Sequence, residues 1–145
     1  MNNEEVIEIL NDLIETCRDG QQGYRRAAEQ IRNSEFRRLF NIFSQQRAQF
    51  VSELENEVQR LGGEPVDYGS ATGGIHRGWM DVRSIFSRDE ASVIAECQEV
   101  EESAVNSYQE ALKADIPLDV QYVVKRQYMD VKDAFDRIRI LQRAA

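Results

Sequence analysis

Four stretches of the chain place apolar residues at alternating steps of four and three, and this spacing constrains the fold more than any other feature. Because an α-helix turns once every 3.6 residues, the spacing puts the apolar side chains on one face, which must pack against another helix. No stretch shows the every-second-residue alternation of a β-strand, so the chain is predicted to be all-α. The stripe of the first helix consists of Val6, Leu10, Leu13, Cys17, Gly20, Tyr24, Ala27 and Ile31.

The breaks between the four predicted helices fall at residues that favour helix ends. Asn2 or Asn3 can cap the first helix, Gly62-Gly63 ends the second, and Pro117 suits the first turn of the fourth. The sequence Ser87-Arg88-Asp89-Glu90 matches a capping box that opens the third helix. A length of 145 residues fits one domain, residues 1–145. Its helices are predicted at about 3–32, 35–62, 88–114 and 117–143.

The connection between the second and third helices is long and differs in composition from the rest of the chain. Residues 62–88 hold six of the eight glycines, the only Trp and the only His. A helix of about 27 residues is about 40 Å long, and at least about 12 extended residues are needed to run back along it. We therefore predict a crossover at 63–87 that joins parallel helices, as in a ferritin-like four-helix bundle. Within it, a short helix at about 75–86 is predicted from the spacing of Ile75, Trp79, Val82 and Phe86.

Composition and charge narrow the class of protein. The chain has 26 acidic and 18 basic residues, a net charge of −8, which disfavours binding to nucleic acid or to anionic membranes. No run approaches 18 apolar residues, and glutamates stand near the start where a signal peptide needs basic residues, so we expect a cytoplasmic protein without membrane insertion. Cys17 and Cys97 lack metal-binding or redox spacing and are predicted core residues.

Five segments together span most of the chain: LNDLIETCRDG and GYRRAAE on helix one, GSATGGIHRGWMD in the connection, EESAVNSYQEAL on helix three and RQYMDVKDAFDRIR on helix four. They resemble a bacterial ferritin-like family of four-helix proteins that is catalogued as a domain of unknown function. The resemblance implies a ferritin-like bundle and a role linked to stress. Related ferritin-like proteins commonly hold two iron or manganese ions between their helices.

The residues that would bind two metal ions depart from the ferritin-like pattern. Such a site typically takes one Glu from each of two helices and Glu-x-x-His from each of the others. The resemblance places the helix-two Glu and His at Gln46 and Gln49, and a helix-four His at Phe135. Neutral amides cannot offset the charge of two cations. We therefore expect a degenerate site without bound metal, or at most a weak site at Glu101 and Asp130.

Polar residues close to the apolar stripes predict a hydrogen-bonded layer between the helices. At 100° per residue, the polar side chains nearest the stripes are Gln21, Gln46, Arg47, Glu101 and Gln127. Gln49, where the resemblance places the helix-two His, completes the predicted polar core layer. A buried carboxylate needs a partner, so Arg47 is expected to neutralise Glu101. Tyrosines on or near the inner faces can add hydroxyls to the layer. In the connection, His76, Arg77 and Trp79 either anchor the crossover on the core or bind a small anion.

The helices differ in charge. Residues 89–115 contain eight acidic residues and one Lys, whereas helix two opens with Arg37 and Arg38 and helix four ends with three arginines. These opposite surfaces can pair between subunits of a homo-oligomer, and the alternative is that they are solvated faces.

The function predicted from these observations is a non-enzymatic structural or interaction role for a cytoplasmic helical bundle, with no catalytic residues and no cofactor. The alternative is a ferritin-like protein that binds iron or manganese, or a di-metal oxidase. Both hypotheses fit the same scaffold, because a fold does not specify an activity.

Overall fold

A computed structural model describes residues 1–67 and 89–144 of the protein. These residues form four α-helices, namely α1 (Asn3–Gln30), α2 (Ser34–Arg60), α3 (Glu90–Lys113) and α4 (Leu118–Ala144), and no strand occurs among them. Within these two ranges, the prediction of an all-α chain with four bundle helices is confirmed. The predicted short helix at 75–86 lies outside the described residues, as do His76, Arg77 and Trp79.

Side chains cap the first turns of three helices. Asn2 caps α1 in a capping box. Its side chain accepts a hydrogen bond from the backbone amide of Glu5 at 2.9 Å, and the Glu5 carboxylate accepts one from the backbone amide of Asn2 at 3.3 Å. Asn33 caps α2. Asp89 caps α3 by accepting from the Ser92 amide at 2.9 Å, which lowers the pKa of Asp89. An aspartate at this position also meets the positive end of the helix dipole. The predicted cap Ser87 lies outside the described residues.

The end of α2 is defined by Gly62. Its φ of 87° lies in the left-handed region, which only glycine adopts without steric cost. In this conformation the Gly62 amide donates to the Gln59 carbonyl and the Gly63 amide donates to the Val58 carbonyl, each at 3.0 Å. These two bonds form a Schellman motif, which satisfies carbonyls at the end of the helix.

The helices bury two apolar clusters, one toward each end of the bundle. One cluster includes Leu10, Leu54 and Val120, and the other includes Phe40 and Ile138. All five of these side chains are fully buried. Packing is most extensive between α1 and α2 and between α3 and α4, and less extensive between α1 and α3 and between α2 and α4. The bundle therefore consists of two tightly packed helix pairs that meet along looser boundaries.

Two sets of contacts locate the ends of the helices. At one end, the Glu90 carboxylate accepts hydrogen bonds from the backbone amides of Arg32 and Asn33, so α3 begins beside the loop between α1 and α2. At the other end, the residues after α2 lie along α1. There, Asn11 bonds the backbone of Glu64 and Val66.

Within residues 1–67 and 89–144, none of the helices combines the length and the apolar character that a membrane-spanning segment needs.

We expect Gly62→Ala to lower the free energy of unfolding by about 1 kcal/mol, because a Cβ disfavours the left-handed conformation. Gly62→Asn is the matched control and should cost less, since Asn tolerates this conformation better than Ala. Urea unfolding followed by circular dichroism measures both values. Equal stability of the Ala variant and the unmodified protein would show that the motif does not define the end of α2.

Candidate functional site

Polar side chains occupy the middle of the bundle, between the two apolar clusters. Arg47 from α2, Glu101 from α3 and Gln127 from α4 each expose 1% of their surface or less. Each of them takes a position in the apolar stripe of its helix. Arg47, for example, stands four residues after Phe43 and three before Phe50, so the helical spacing itself directs it inward.

Arg47 and Glu101 form a two-pronged ion pair. Nη1 of Arg47 donates to Oε2 of Glu101 at 3.0 Å, and Nη2 of Arg47 donates to Oε1. The hydroxyl of Tyr24 on α1 donates to Oε2 at 2.5 Å. Both carboxylate oxygens therefore have donors, and three of the four helices meet at one carboxylate. Such charge-assisted, bidentate bonds are among the stronger hydrogen bonds in proteins.

The energetics of this group follow from burial and charge. Burial disfavours the charged guanidinium, but the attraction of Glu101 outweighs this effect and raises the pKa of Arg47. The pKa of Tyr24 is raised well above its usual value, first by burial and then by the negative charge of Glu101. At neutral pH Arg47 is therefore cationic, and Tyr24 is neutral and donates its hydroxyl proton.

The surroundings hold Tyr24 and Arg47 in place. The Tyr24 ring packs on Phe43 and Phe40 with centroid distances of 5.4 and 5.5 Å. The Arg47 guanidinium lies 5.5 Å from the centroid of the same tyrosine ring. On α1, a Cβ at Gly20 would stand 3.3 Å from Nη1 and 3.4 Å from Cγ of Arg47. Glycine therefore gives the long arginine side chain room beside α1.

A second chain of hydrogen bonds runs from the interior toward the surface. The Tyr108 hydroxyl donates to Gln127 Oε1 at 2.7 Å and contacts Cys17 Sγ at 3.1 Å. Gln127 Nε2 donates in turn to the Phe50 carbonyl at 3.4 Å and to the Glu53 carboxylate at 2.9 Å. Because the hydroxyl proton of Tyr108 is directed to Gln127, Cys17 is the donor to the Tyr108 oxygen.

Both cysteines are free and buried. Burial raises the pKa of Cys17 to about 11, although the positive charge of Arg47 acts in the opposite direction. The pKa of Cys97 is also raised by burial and, to a lesser degree, by Glu101. The thiolate is the reactive form of cysteine, and both thiols are therefore protonated and poorly reactive at neutral pH.

The other predicted members of the polar layer lie farther from its centre. Gln46 is half-buried and accepts a hydrogen bond from Arg47 Nε at 3.4 Å. Gln21 is also half-buried, and its backbone carbonyl accepts a hydrogen bond from the hydroxyl of Ser44 at 2.7 Å. Gln49 is exposed, because it stands two residues from Arg47 and thus about 200° around α2. It is placed on the surface and not in the layer that was predicted to include it.

The two residues proposed for a weak metal site lie in different environments. Glu101 is fully buried and engaged by Arg47 and Tyr24, whereas Asp130 is exposed on α4. Phe135, where the resemblance expected a histidine, is half-buried. Across residues 1–67 and 89–144, no group of three or more His, Cys, Asp or Glu side chains is arranged to hold a metal ion.

Three tyrosines on or near the inner faces, Tyr24, Tyr108 and Tyr128, were the candidates for adding hydroxyls to the polar layer. Tyr24 and Tyr108 are the tyrosines that bond the buried polar groups, whereas Tyr128 accepts a hydrogen bond from Gln109 at 3.1 Å nearer the surface. Glu15 and Asp19 on α1 are also buried. They lie on a face of α1 away from its apolar stripe, so the periodicity of the stripe gives no signal for their burial.

One protein family matches this chain, and its model is described as Domain of unknown function (DUF2383). The match covers residues 5–114 and thus nearly all of α1 and the whole of α2 and α3. No curated protein matches the chain.

We expect Arg47→Ala to lower the free energy of unfolding by about 3–5 kcal/mol, because Glu101 is left as a buried, uncompensated charge. Arg25→Ala, at an exposed position of α1, is the matched control and should change stability by about 0.5 kcal/mol or less. Equilibrium unfolding in urea gives both values. Losses that agree within about 0.5 kcal/mol would refute the importance of the ion pair.

We expect Cys17 and Cys97 to react slowly with a thiol-reactive disulfide reagent at pH 8 in the folded protein. The raised pKa of Cys17 alone reduces its thiolate fraction roughly 100-fold relative to a free thiol, and burial slows reaction further. Both thiols should react rapidly once the protein is unfolded in urea, which is the internal control. Rapid reaction of either thiol in the folded protein would show that it is accessible.

Proposed function

Because the chain belongs to the family described as Domain of unknown function (DUF2383), its role has to be inferred from its own residues, and we propose that it is a helical-bundle protein with a structural or interaction role and no catalytic chemistry of its own. The observation that carries this proposal is the buried ion pair of Arg47 and Glu101 in the middle of the bundle. In this pair, the buried Glu101 carboxylate packs against Arg47 and balances its positive charge.

We propose that the centre of the bundle is a degenerate ferritin-like metal site. The donors present do not fit a pair of iron or manganese ions. Both oxygens of Glu101 accept hydrogen bonds from Arg47 and Tyr24, and the guanidinium places a positive charge where a cation would have to bind. Gln127 contributes only a neutral amide, which favours hydrogen bonding over binding to a hard divalent cation. These donors therefore support the proposed role more than an iron or manganese protein or a di-metal oxidase.

A ferritin-like connection between α2 and α3 is part of this proposal. Two observations support it. Asn3 donates to the carbonyl of Leu61 at the end of α2, while Glu90 at the start of α3 accepts from the amides of the α1–α2 loop. The end of α2 and the start of α3 thus lie near opposite ends of α1, which supports a crossover between parallel helices.

The net charge of −8 supports a role that does not involve nucleic acid, since phosphate would be repelled. The two free, buried cysteines are in keeping with a reducing compartment such as the cytoplasm. A homo-oligomer and a role linked to stress are further parts of the proposal that come from the charge pattern and the family resemblance.

Metal analysis tests the proposed role. Protein purified without chelator and then incubated with Fe(II) or Mn(II) under anaerobic conditions, followed by desalting, should retain less than about one ion in ten chains. This is expected because the buried charge of Glu101 is already balanced by Arg47. Elemental analysis by mass spectrometry measures the ratio. Retention of one or two ions per chain at the bundle centre would contradict the proposed role.

Two variants locate any metal that is retained. Glu101→Gln removes the only fully buried carboxylate of the polar layer, and Asp130→Asn removes the second residue of the weak site. Loss of retained metal in the Glu101 variant would place the ion at the bundle centre. Metal that is retained in both variants would lie elsewhere on the chain and would leave the degenerate centre as proposed.

A further inference from the structure

The outer face of α4 carries a line of four exposed apolar side chains along its length, with charged residues such as Asp133 and Asp136 between them. Leu118, Tyr122, Met129 and Ile140 are 83%, 71%, 63% and 61% exposed. At 100° per residue these four positions fall within about 40° of one another around the helix. Single exposed apolar residues are common on protein surfaces, but a line along a whole helix marks an interaction surface.

The charge of each helix restricts which partner can cover this face. α4 has six basic and four acidic residues, a net charge of +2. By contrast, α1 has three basic and seven acidic residues and α3 has one basic and six acidic residues, net charges of −4 and −5. Two copies of a chain with a net charge of −8 repel each other through α1 and α3. α2 has four basic and four acidic residues and is neutral, so α2 and α4 both repel a second copy less than α1 or α3 does.

We propose that α4 is a homodimer interface in which two copies pack their α4 helices antiparallel about a two-fold axis at Met129. In such an arrangement, residues at equal distances before and after the axis meet. Leu118 and Ile140 each stand eleven residues from Met129, so each apolar end of the line meets the other end on the second copy. The two apolar ends of the line therefore match in this register, and Tyr122 falls opposite Asp136.

The charged residues of the face agree with the same register. Lys125 and Asp133 stand four residues before and four after Met129, so the lysine of each copy meets the aspartate of the other. Within the described ranges 1–67 and 89–144, Lys125 forms no ion pair, and Asp133 pairs only with Arg137 of its own helix, at 3.2 Å. Opposite charges that meet twice across the axis favour this register over a shifted one.

A groove beside the end of α4 can accommodate Leu118 of the second copy. It has a volume of about 350 Å³, and Leu39, Ile42, Ile140 and Leu141 form its apolar walls. Ile42 is itself 46% exposed. In the proposed register, Leu118 of the second copy lies next to Ile140 and can enter this groove.

The proposed dimer rests on the interaction role, but it does not depend on the absence of metal from the bundle centre. Metal analysis and the mass of the protein in solution therefore test the two proposals separately. A homo-oligomer in which the acidic α3 pairs with the basic ends of α2 and α4 is a different arrangement. Its association should weaken as salt rises, whereas apolar contacts make the proposed α4 dimer less sensitive to salt.

Sedimentation velocity of the full chain between about 5 and 500 µM tests the interface. We expect a mass that rises to about twice the chain's 16.7 kDa. Met129→Asp should abolish the dimer without changing the helical circular dichroism, because Met129 is exposed and carries no part of the core. Ser103→Asp on the exposed face of α3 is the matched control and should still dimerise. A monomer throughout this range would overturn the proposal and leave the face to another partner.

Cross-linking and charge exchange test the register. Met129→Cys lies on the axis and should form an interchain disulfide under mild oxidation, whereas Ser103→Cys should not, and the buried Cys17 and Cys97 do not interfere. Lys125→Glu should raise the dimer dissociation constant about tenfold, and Lys125→Glu combined with Asp133→Lys should restore it. Equal cross-linking of both cysteine variants, or a double variant no tighter than Lys125→Glu, would refute the antiparallel register.

Discussion

The buried positive charge of Arg47 is the constraint on which the rest of the interior depends. A guanidinium removed from water is costly unless an anion and further hydrogen bonds compensate it, and here Glu101 supplies the anion. Because bidentate bonds are directional, the pair fixes the height of α2 against α3, and Tyr24 fixes α1 to the same carboxylate. The apolar clusters on either side contribute most of the burial but favour no single register, since hydrophobic contacts are non-directional. We therefore attribute the register of three helices to these polar bonds.

Gly20 shows that the backbone has adapted to this pair. A glycine in the interior of a helix costs about 0.5–1 kcal/mol relative to alanine, so its presence in the middle of α1 needs a reason. The reason is contact, because a Cβ at this position would press on Nη1 and Cγ of Arg47. The arginine thus occupies space that a side chain on α1 would otherwise fill. The helix accepts a local loss of stability, which the ion pair offsets.

Helical spacing predicts how many helices form and which polar residues point inward, but it does not predict partners between helices. Arg47, Glu101 and Gln127 stand at stripe positions and are buried, whereas Gln49 is exposed because it lies off the stripe of α2. That Tyr24 bonds Glu101 depends on the relative heights of α1 and α3, which no spacing along one helix fixes. Ser87 and Asp89 are both good capping residues, so spacing alone does not select between them, and the structure begins α3 at Glu90 with Asp89 as its cap. Glu15 and Asp19 lie off the stripe, so their burial leaves no periodic signal.

The position of the polar layer explains how the bundle remains one unit. Apolar packing is extensive within the pairs α1–α2 and α3–α4 and less extensive between them, and the facing helices α1 and α3 are both strongly acidic. Like charges weaken the boundary between these two helices. The buried bonds cross between the pairs, since Arg47 and Tyr24 reach from the first pair to Glu101 on the second, and Gln127 reaches back from α4 to Glu53 on α2. The polar layer therefore joins two helix pairs where apolar packing is least extensive, which is a structural reason for keeping a charged pair in the core.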